Sequence, residues 1–233
     1  MQQSCSFSNI PSLITSDPEW LAWAKIIDSY YAAKGDKFDC DHGVKHWHAV
    51  ANTATDFVEK TTNNHHLAIL AHIAGLLHDC GLICGDEGHE KNGAVIAKAF
   101  LVARFSHQLT VDEIEMICHA IANHSNGKEV KTIIDAAILF ADKIDVSRER
   151  IFTVTNELLA EANKIRRIEY TITLEEIVVK YHVDDDFNPD IFFTWRKAYR
   201  APAKAAKFAN RSFSLFLNDT KYELPKNKRT LKR

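Results

Sequence analysis

Ala68-Ile-Leu-Ala-His-Ile-Ala-Gly-Leu-Leu-His-Asp-Cys-Gly81 is the stretch that decides the fold. Almost every residue in it is too apolar or too small to face water whichever way a helix is turned, so it predicts a central helix buried on all sides. That helix carries an imidazole and a carboxylate, His78 and Asp79, to its buried end. An unpaired carboxylate is costly there; the remedies are a partner charge or a metal ion, and the adjacent imidazole favours the metal. Ala71, Ala74 and Gly75 lie one or two turns earlier and are small enough for neighbouring helices to come close and add ligands of their own.

The whole chain has 233 residues, enough for one sizeable core with an appendage. With 46% hydrophobic and 26% charged residues and a formal net charge of -2, it has no global basic field, and nucleic acid is not expected as a partner. Cys5, Cys40, Cys80, Cys84 and Cys118 form an odd set without disulfide-framework spacing. Such a set suits a reducing cytosol, so a cytoplasmic location is expected. Cys80 and Cys84 with nearby histidines form an alternative zinc set, but they lack a second cysteine pair. No apolar run reads as long enough to span a membrane, and the N-terminus lacks the order of a signal peptide.

Working outward, residues 1–15 read as a loosely held arm. Ser16-Asp17-Pro18-Glu19 reads as a helix start, followed by a core-facing stripe of Trp20, Trp23, Ala24, Ile27 and Tyr31, with Gly35 as its end. Asp41 is expected to open a second helix to about Lys60, with His46, Val50, Ala54 and Phe57 on its buried face, His42 one turn earlier near an anion-binding helix end, and His48 pointing elsewhere. After the central helix comes a short loop over 82–88, then a helix from His89 in which Gly93, Ala94 and Ala97 allow close packing. Thr110-Val-Asp-Glu113 fits a capping box for a helix ending at His124 and stopped by Ser125-Asn-Gly127; His119 faces another side. Ile133 to Ile144 is a further core helix and carries Asp142.

From about Arg166 the period changes to two. Ile168–Thr173 and Glu176–Val183 read as antiparallel strands, a helix covers about 190–210, and Phe213–Leu217 closes a three-stranded sheet. Ile177, Val179, Tyr181 and Val183 share the face that wants burial, so the sheet must pack on the helical core or on a second subunit, as in a homodimer. The unit is expected to be structural and distant from the chemistry. The divisions are therefore 1–165 for a helical unit, 166–220 for a small α+β extension and 221–233 for a basic, flexible tail.

His46, His78, Asp79, His89, His124 and Asp142 each stand at or near the end of a mainly apolar helix. Singly, each has a bland explanation, and an ion-pair network is the bland explanation for the set. Jointly, four imidazoles and two carboxylates directed into one core suit a transition metal such as Mn, Fe, Co, Ni or Zn.

His46…His78-Asp79…Asp142 resembles the H…HD…D signature of the HD superfamily of metal-dependent phosphohydrolases, over about residues 38–152. His46-Trp-His-Ala-Val50, Gly75-Leu-Leu-His-Asp-Cys-Gly81 and Leu139-Phe-Ala-Asp-Lys-Ile-Asp145 match it as well. The resemblance implies a mainly α fold, an HD-domain helical bundle with a small C-terminal α+β extension. It implies an enzyme that hydrolyses a phosphoester or nucleotide, with a small phosphorylated molecule as its partner. His89-Glu-Lys-Asn-Gly-Ala94 and Ala122-Asn-His-Ser125 are similar to the extra histidines of dinuclear HD enzymes, including the HD-type diadenosine tetraphosphate hydrolases of bacteria. In that comparison His46, His78, Asp79 and Asp142 hold one divalent ion, His89 and His124 complete a second, and Asp79 bridges them, with Mg also admitted. Asp79, Lys143 and Arg148 are then the catalytic candidates, because the segment from Asp142 to Arg148 is similar to one that places an Arg near phosphate. His42, Lys45, Lys143 and Arg148 are the candidates for binding phosphate, each lying beside a ligand in sequence, with surface salt bridges as the alternative. Leu82 stands where HD proteins often carry Lys, and the loop before His89 is shorter than in the diadenosine tetraphosphate enzymes. Two other activities fit the same residues: a di-iron oxygenase of HD type, and a non-catalytic regulator that binds metal or nucleotide.

Overall fold

The computed structural model describes residues 6–34, 40–125, 127 and 129–223. Its helical part comprises α1 (Ile10–Ser16), α2 (Pro18–Lys34), α3 (Val44–Thr62), α4 (His65–Leu77), α5 (His89–Phe105), α6 (Val111–Asn123), α7 (Ile133–Ile144) and α8 (Glu157–Ala162). Then follow β1 (Ile165–Ile172), β2 (Glu176–Val183), α9 (Pro189–Phe192), α10 (Lys197–Phe208), β3 (Ser212–Leu217) and β4 (Thr220–Tyr222). The fold is mainly α, a helical bundle with a small α+β extension.

The central helix is α4. Asn64 starts it by accepting a hydrogen bond from the Leu67 amide at 3.0 Å, and from Ala68 to Leu77 every side chain except that of His72 is buried. Helices α3, α6 and α7 close around it, and α1 covers it from outside. Helix α3 approaches tightly at Gly75, where an added Cβ would stand 2.4 Å from the Ala51 Cα. A second contact of this kind sits at Gly81, whose Cβ would meet the His89 carbonyl at 2.0 Å, so the first turn of α5 rests on the backbone that follows Asp79. The region His65–Cys84 is in fact long and apolar enough to cross a membrane by length and composition, contrary to the reading of the sequence. Its window is 78% buried inside this fold, as a core helix requires.

The capping box at Thr110 and Glu113 forms as expected, and Thr132 with Asp135 makes a second one at the start of α7. The aromatic stripe of α2 is buried against the core, with Trp20 donating to the Leu76 carbonyl at 3.0 Å. Two expectations need correction. Residues 10–16 are not a loose arm: Ile10 and Ile14 recur one turn apart and are fully buried, which docks α1 on the core. Helix α3 begins at Val44 rather than Asp41, because the Asp41 carboxylate accepts from the Gly43 amide at 2.7 Å and holds the chain in a turn. Gly35, Asn126 and the tail from residue 224 lie outside the described residues.

The C-terminal sheet has four strands rather than three, in the order β1-β2-β3-β4. β1 and β2 are antiparallel as expected, but β3 runs parallel to β2, with Ile177 opposite Phe213, because the chain crosses back through α9 and α10 before it pairs. The single helix expected over 190–210 is divided into α9 and α10 by turns at 193–196. The face formed by Ile177, Val179, Tyr181 and Val183 is buried, and the Tyr181 hydroxyl donates to the Ala198 carbonyl of α10 at 3.3 Å. In turn α10 packs along α7, and Tyr170 of β1 meets Phe140 of α7 edge-on at 5.7 Å.

The Gly75 contact is directly testable. In Gly75→Ala the new methyl group has backbone rather than a flexible side chain in its way, so stability falls by about 1–3 kcal/mol, the cost of overpacking a tight core. Urea unfolding measures this, and an unchanged midpoint would show that α3 and α4 have room to separate.

Candidate metal centre

Asp79 follows the last turn of α4 and is almost completely buried, as are His46, His78, His124 and Asp142. Its two carboxylate oxygens face different sides. Oδ2 lies 3.3 Å from His78 Nε2 and 3.8 Å from His46 Nε2, and His46 Nε2 is 3.5 Å from Asp142 Oδ1. Oδ1 lies 3.2 Å from His124 Nε2 and 3.5 Å from His89 Nε2. Across each pair of rings the Nε2 atoms are close, 3.2 Å for His46 and His78 and 3.1 Å for His89 and His124. All six residues picked out from the sequence as metal ligands thus meet at one place, brought there by α3, the end of α4, the start of α5, the end of α6 and α7.

Each imidazole has its outer nitrogen occupied. Nδ1 of His78, His89 and His124 sits 2.8, 2.8 and 2.7 Å from the carbonyls of Gly75, Asp86 and Ile121, three residues back in each case. Nδ1 of His46 sits 2.7 Å from Asp145 Oδ2. A carbonyl or carboxylate can only accept, so each Nδ1 carries a proton, and Nε2 is the nitrogen turned inward in each ring. With the outer nitrogens committed, four Nε2 atoms and two carboxylates face one point, and a cation is a partner that all of them can share; this is the outer-atom arrangement by which proteins orient metal-binding histidines.

The electrostatics agree. Burial depresses His46 and His124, which favours the neutral form of both rings. Burial by itself would raise Asp79, yet the His78 charge and hydrogen bonds from the surrounding imidazoles hold its carboxyl well below the usual range. Asp142 is likewise held down against the effect of burial, by the charge of Lys143 and the bond to His46. Burial thus works against the charged forms of His46 and His124 that an ion-pair network would use, whereas the charge of Asp79 raises His78 against the effect of burial.

Around this centre the other predicted residues separate. His42 reaches it directly, with Nδ1 3.0 Å from Asp79 Oδ2 and Nε2 3.4 Å from the Cys40 thiol. Burial would lower its pKa, but these two partners push it up to about 10. Lys143 pairs with Asp142 and lines a cavity of about 270 Å³ beside the centre. Arg148 turns away, donating to Asp184 Oδ2 at 2.6 Å and to the Lys164 carbonyl. Lys45 is exposed and lines a separate hollow with Asp28 and Glu149.

Reading the sequence missed Asp145 and Arg150. Arg150 is buried; its guanidinium donates to the carbonyls of Asp41 and Asp145, and its own carbonyl accepts from the Asp41 amide at 2.7 Å. It therefore ties the turn carrying His42 to the carboxylate that orients His46. The spacing of Asp145 three residues after Asp142 was a usable signal for the first; Arg150 had none, because its partners are backbone atoms. Also missed were Phe192 and Trp195, which line the cavity together with Asp142, and Lys197, which is depressed by burial and by the charge of Lys143. The C-terminal unit is therefore not distant from the chemistry, because α10 lies against the helix that carries Asp142. As for the cysteines, Cys80 is buried with its thiol 3.4 Å from the Gly93 carbonyl, Cys84 is exposed, and among the described residues no cysteine joins the His and Asp groups that could hold an ion.

A helical bundle with imidazoles and carboxylates converging at the end of its central helix defines a metal-binding α-helical domain. The model of the HD domain family matches residues 43–179, more than half of the chain, and the chain belongs to that family, one of metal-dependent phosphohydrolases. No curated protein matches the chain.

Asp79→Ala removes the carboxylate shared by both sides and is expected to abolish bound metal. Cys80→Ser is expected to keep it, since burial pushes that thiol up and away from ligation. Metal per chain by elemental analysis decides; loss of metal in the Cys80 variant would point to a thiolate site. Because metal binds the folded chain, chelation also lowers the thermal midpoint, by the equivalent of about 2.7 kcal/mol relative to protein saturated a hundredfold above its dissociation constant. An unmoved midpoint on chelation would contradict the fit.

Proposed function

We propose that this protein is a hydrolase of a phosphoester and works with two divalent cations. His46, His78, Asp79 and Asp142 hold the first, while Asp79, His89 and His124 hold the second. The observation that carries this reading is the division of the Asp79 carboxylate, with one oxygen turned to each histidine pair. When bound, such a pair supplies an activated water and neutralises charge on the phosphoryl group.

The side chains around the centre do the rest. Lys143 lines the cavity and offers its ammonium to phosphoryl oxygens, and His42, kept protonated by Asp79 and Cys40, adds a second positive group on the same wall. Lys197 adds to the positive charge near Lys143. Arg148, paired with Asp184, and Lys45, which borders a different hollow, leave the phosphate-binding set. Arg150 and Asp145 are positioning residues, since they hold the His42 turn and the His46 ring. In the reaction the attacking water oxygen bonds to phosphorus and gives up a proton, the ester P–O bond breaks, and the departing oxygen takes up a proton. Cys40, Cys80, Cys84 and Cys118 are all free thiols, which supports a reducing compartment such as the cytoplasm.

A screen of phosphoesters and nucleotides against Mn-, Fe-, Co- and Mg-loaded protein tests the reading. Turnover is expected with at least one metal, and Lys143→Ala is expected to reduce kcat/KM about a hundredfold while metal is retained, as for loss of one stabilising donor. His89→Ala or His124→Ala should bring bound metal from about two ions per chain toward one, since each removes a ligand of the second ion only. No turnover across the screen would overturn the hydrolase, and unchanged metal content in both histidine variants would leave a single-ion site.

A further inference from the structure

The cavity beside the metal centre has two chemically different walls. One is polar and continuous with the metal ligands: Cys40, His42, Asp142, Lys143, Asp145 and Arg150. These residues are joined to one another or to the ligands by the hydrogen bonds described above, so the metal centre fixes this wall. The rest of the lining is apolar, Val146 and Ile151 beside the polar residues in the chain and then Leu158, Leu159, Ala162, Phe192 and Trp195. Of these side chains only the Trp195 indole carries a polar atom.

The apolar wall is built rather than incidental. Glu161 of α8 is buried, accepting from the Asn188 amide at 2.6 Å and from Lys164 Nζ at 3.1 Å, which locks α8 against the start of α9. Asn188 in turn caps α9, and Phe192 packs under Trp195 with ring centroids 6.5 Å apart. Phe192 is buried, whereas Trp195 is partly exposed where it borders the cavity. At about 270 Å³ the cavity falls just below the 300–1,000 Å³ usual for small-molecule sites, room for one compact organic group and a phosphate but not for two nucleosides.

Resting on the phosphohydrolase reading above, we infer that the substrate is a monophosphate ester of a compact apolar group, aryl or branched alkyl, that lies against Trp195 and the α8–α9 wall while its phosphate faces Lys143 and His42. A nucleobase carries several donors and acceptors around its edge. Buried against aliphatic side chains and Phe192 it would leave most of them unpaired, and a site without partners for such groups rejects them. An aryl or alkyl group has none to leave unpaired and gains from removal from water. Helix α8 and the α9 region of the C-terminal unit together are accordingly the specificity element of the protein.

Phosphonates test this without turnover, because their P–C bond is not cleaved by phosphoester hydrolysis. Titration calorimetry on the metal-loaded full chain compares phenylphosphonate with methylphosphonate. The phenyl compound is expected to bind about tenfold more tightly, a conservative share of the transfer energy of one aromatic ring. In Trp195→Ala that preference should fall below about twofold, and Trp195→Phe should restore most of it. Adenosine 5′-monophosphate is expected to bind no more tightly than methylphosphonate. Equal binding of the two phosphonates, a preference insensitive to Trp195→Ala, or tighter binding of the nucleotide would each overturn the inference. A Trp195-dependent phenyl preference in a protein that hydrolyses no phosphoester would overturn the hydrolase reading and leave the pocket standing.

Discussion

The structure depends on one buried carboxylate. Asp79 stands where the most apolar of the described helices ends, and its carboxylate is almost wholly buried. Left without compensation it would cost several kcal/mol, more than any single cap or salt bridge elsewhere supplies. Four imidazoles arranged around it, each with its outer nitrogen committed, leave a cation as the physical solution. The helices that carry those rings can meet only because α4 and the turn after it are lined with small residues, so Gly75 and Gly81 belong to the chemistry as much as to the packing.

The orientation of the rings follows from local backbone geometry. In His78, His89 and His124 the Nδ1 atom finds a carbonyl three residues earlier, a partner that lies close to each ring within one helical turn or the loop leading into it. Such a partner needs no second element to be in place. His46 differs: it sits in the first turn of α3, and its Nδ1 is held from across the fold by Asp145, which Arg150 of the same loop backs up. One side of the centre is therefore oriented mainly by local structure, and the other depends on the loop after α7 docking correctly.

The C-terminal unit uses its sheet for packing and its crossover for the site. β2 buries alternate residues, with Tyr181 bonded to Ala198 of α10, α10 lies on α7, and Phe192 and Trp195 line the same cavity as Asp142. The parallel pairing of β3 with β2 is what requires a crossover connection at all, and that connection carries Phe192 and Trp195 to the cavity. A plain meander of three strands would have left this wall of the cavity open.

By itself the sequence determined the helices with strong periodicity, both strands of the β1–β2 hairpin, the buried face of β2 and the six His and Asp residues of the centre. These follow from local composition: an apolar run that ends in His-Asp, capping residues at fixed offsets, and alternation with a period of two are all written within a dozen residues. Tertiary structure decided the rest. Ile10 and Ile14 gain burial only because α4 lies beneath α1, so a short mixed segment looks loose until its partner is known. Arg148 and Arg150 are two residues apart and equally basic, yet one pairs with Asp184 and the other braces Asp41 and Asp145, a division set by which elements lie within reach. Trp195 and Lys197 lie some fifty residues beyond Asp142 in the chain and reach its surroundings through the packing of α10 on α7. Local pattern encodes which side chains want burial or a cation; only the packed fold decides which of them share one site.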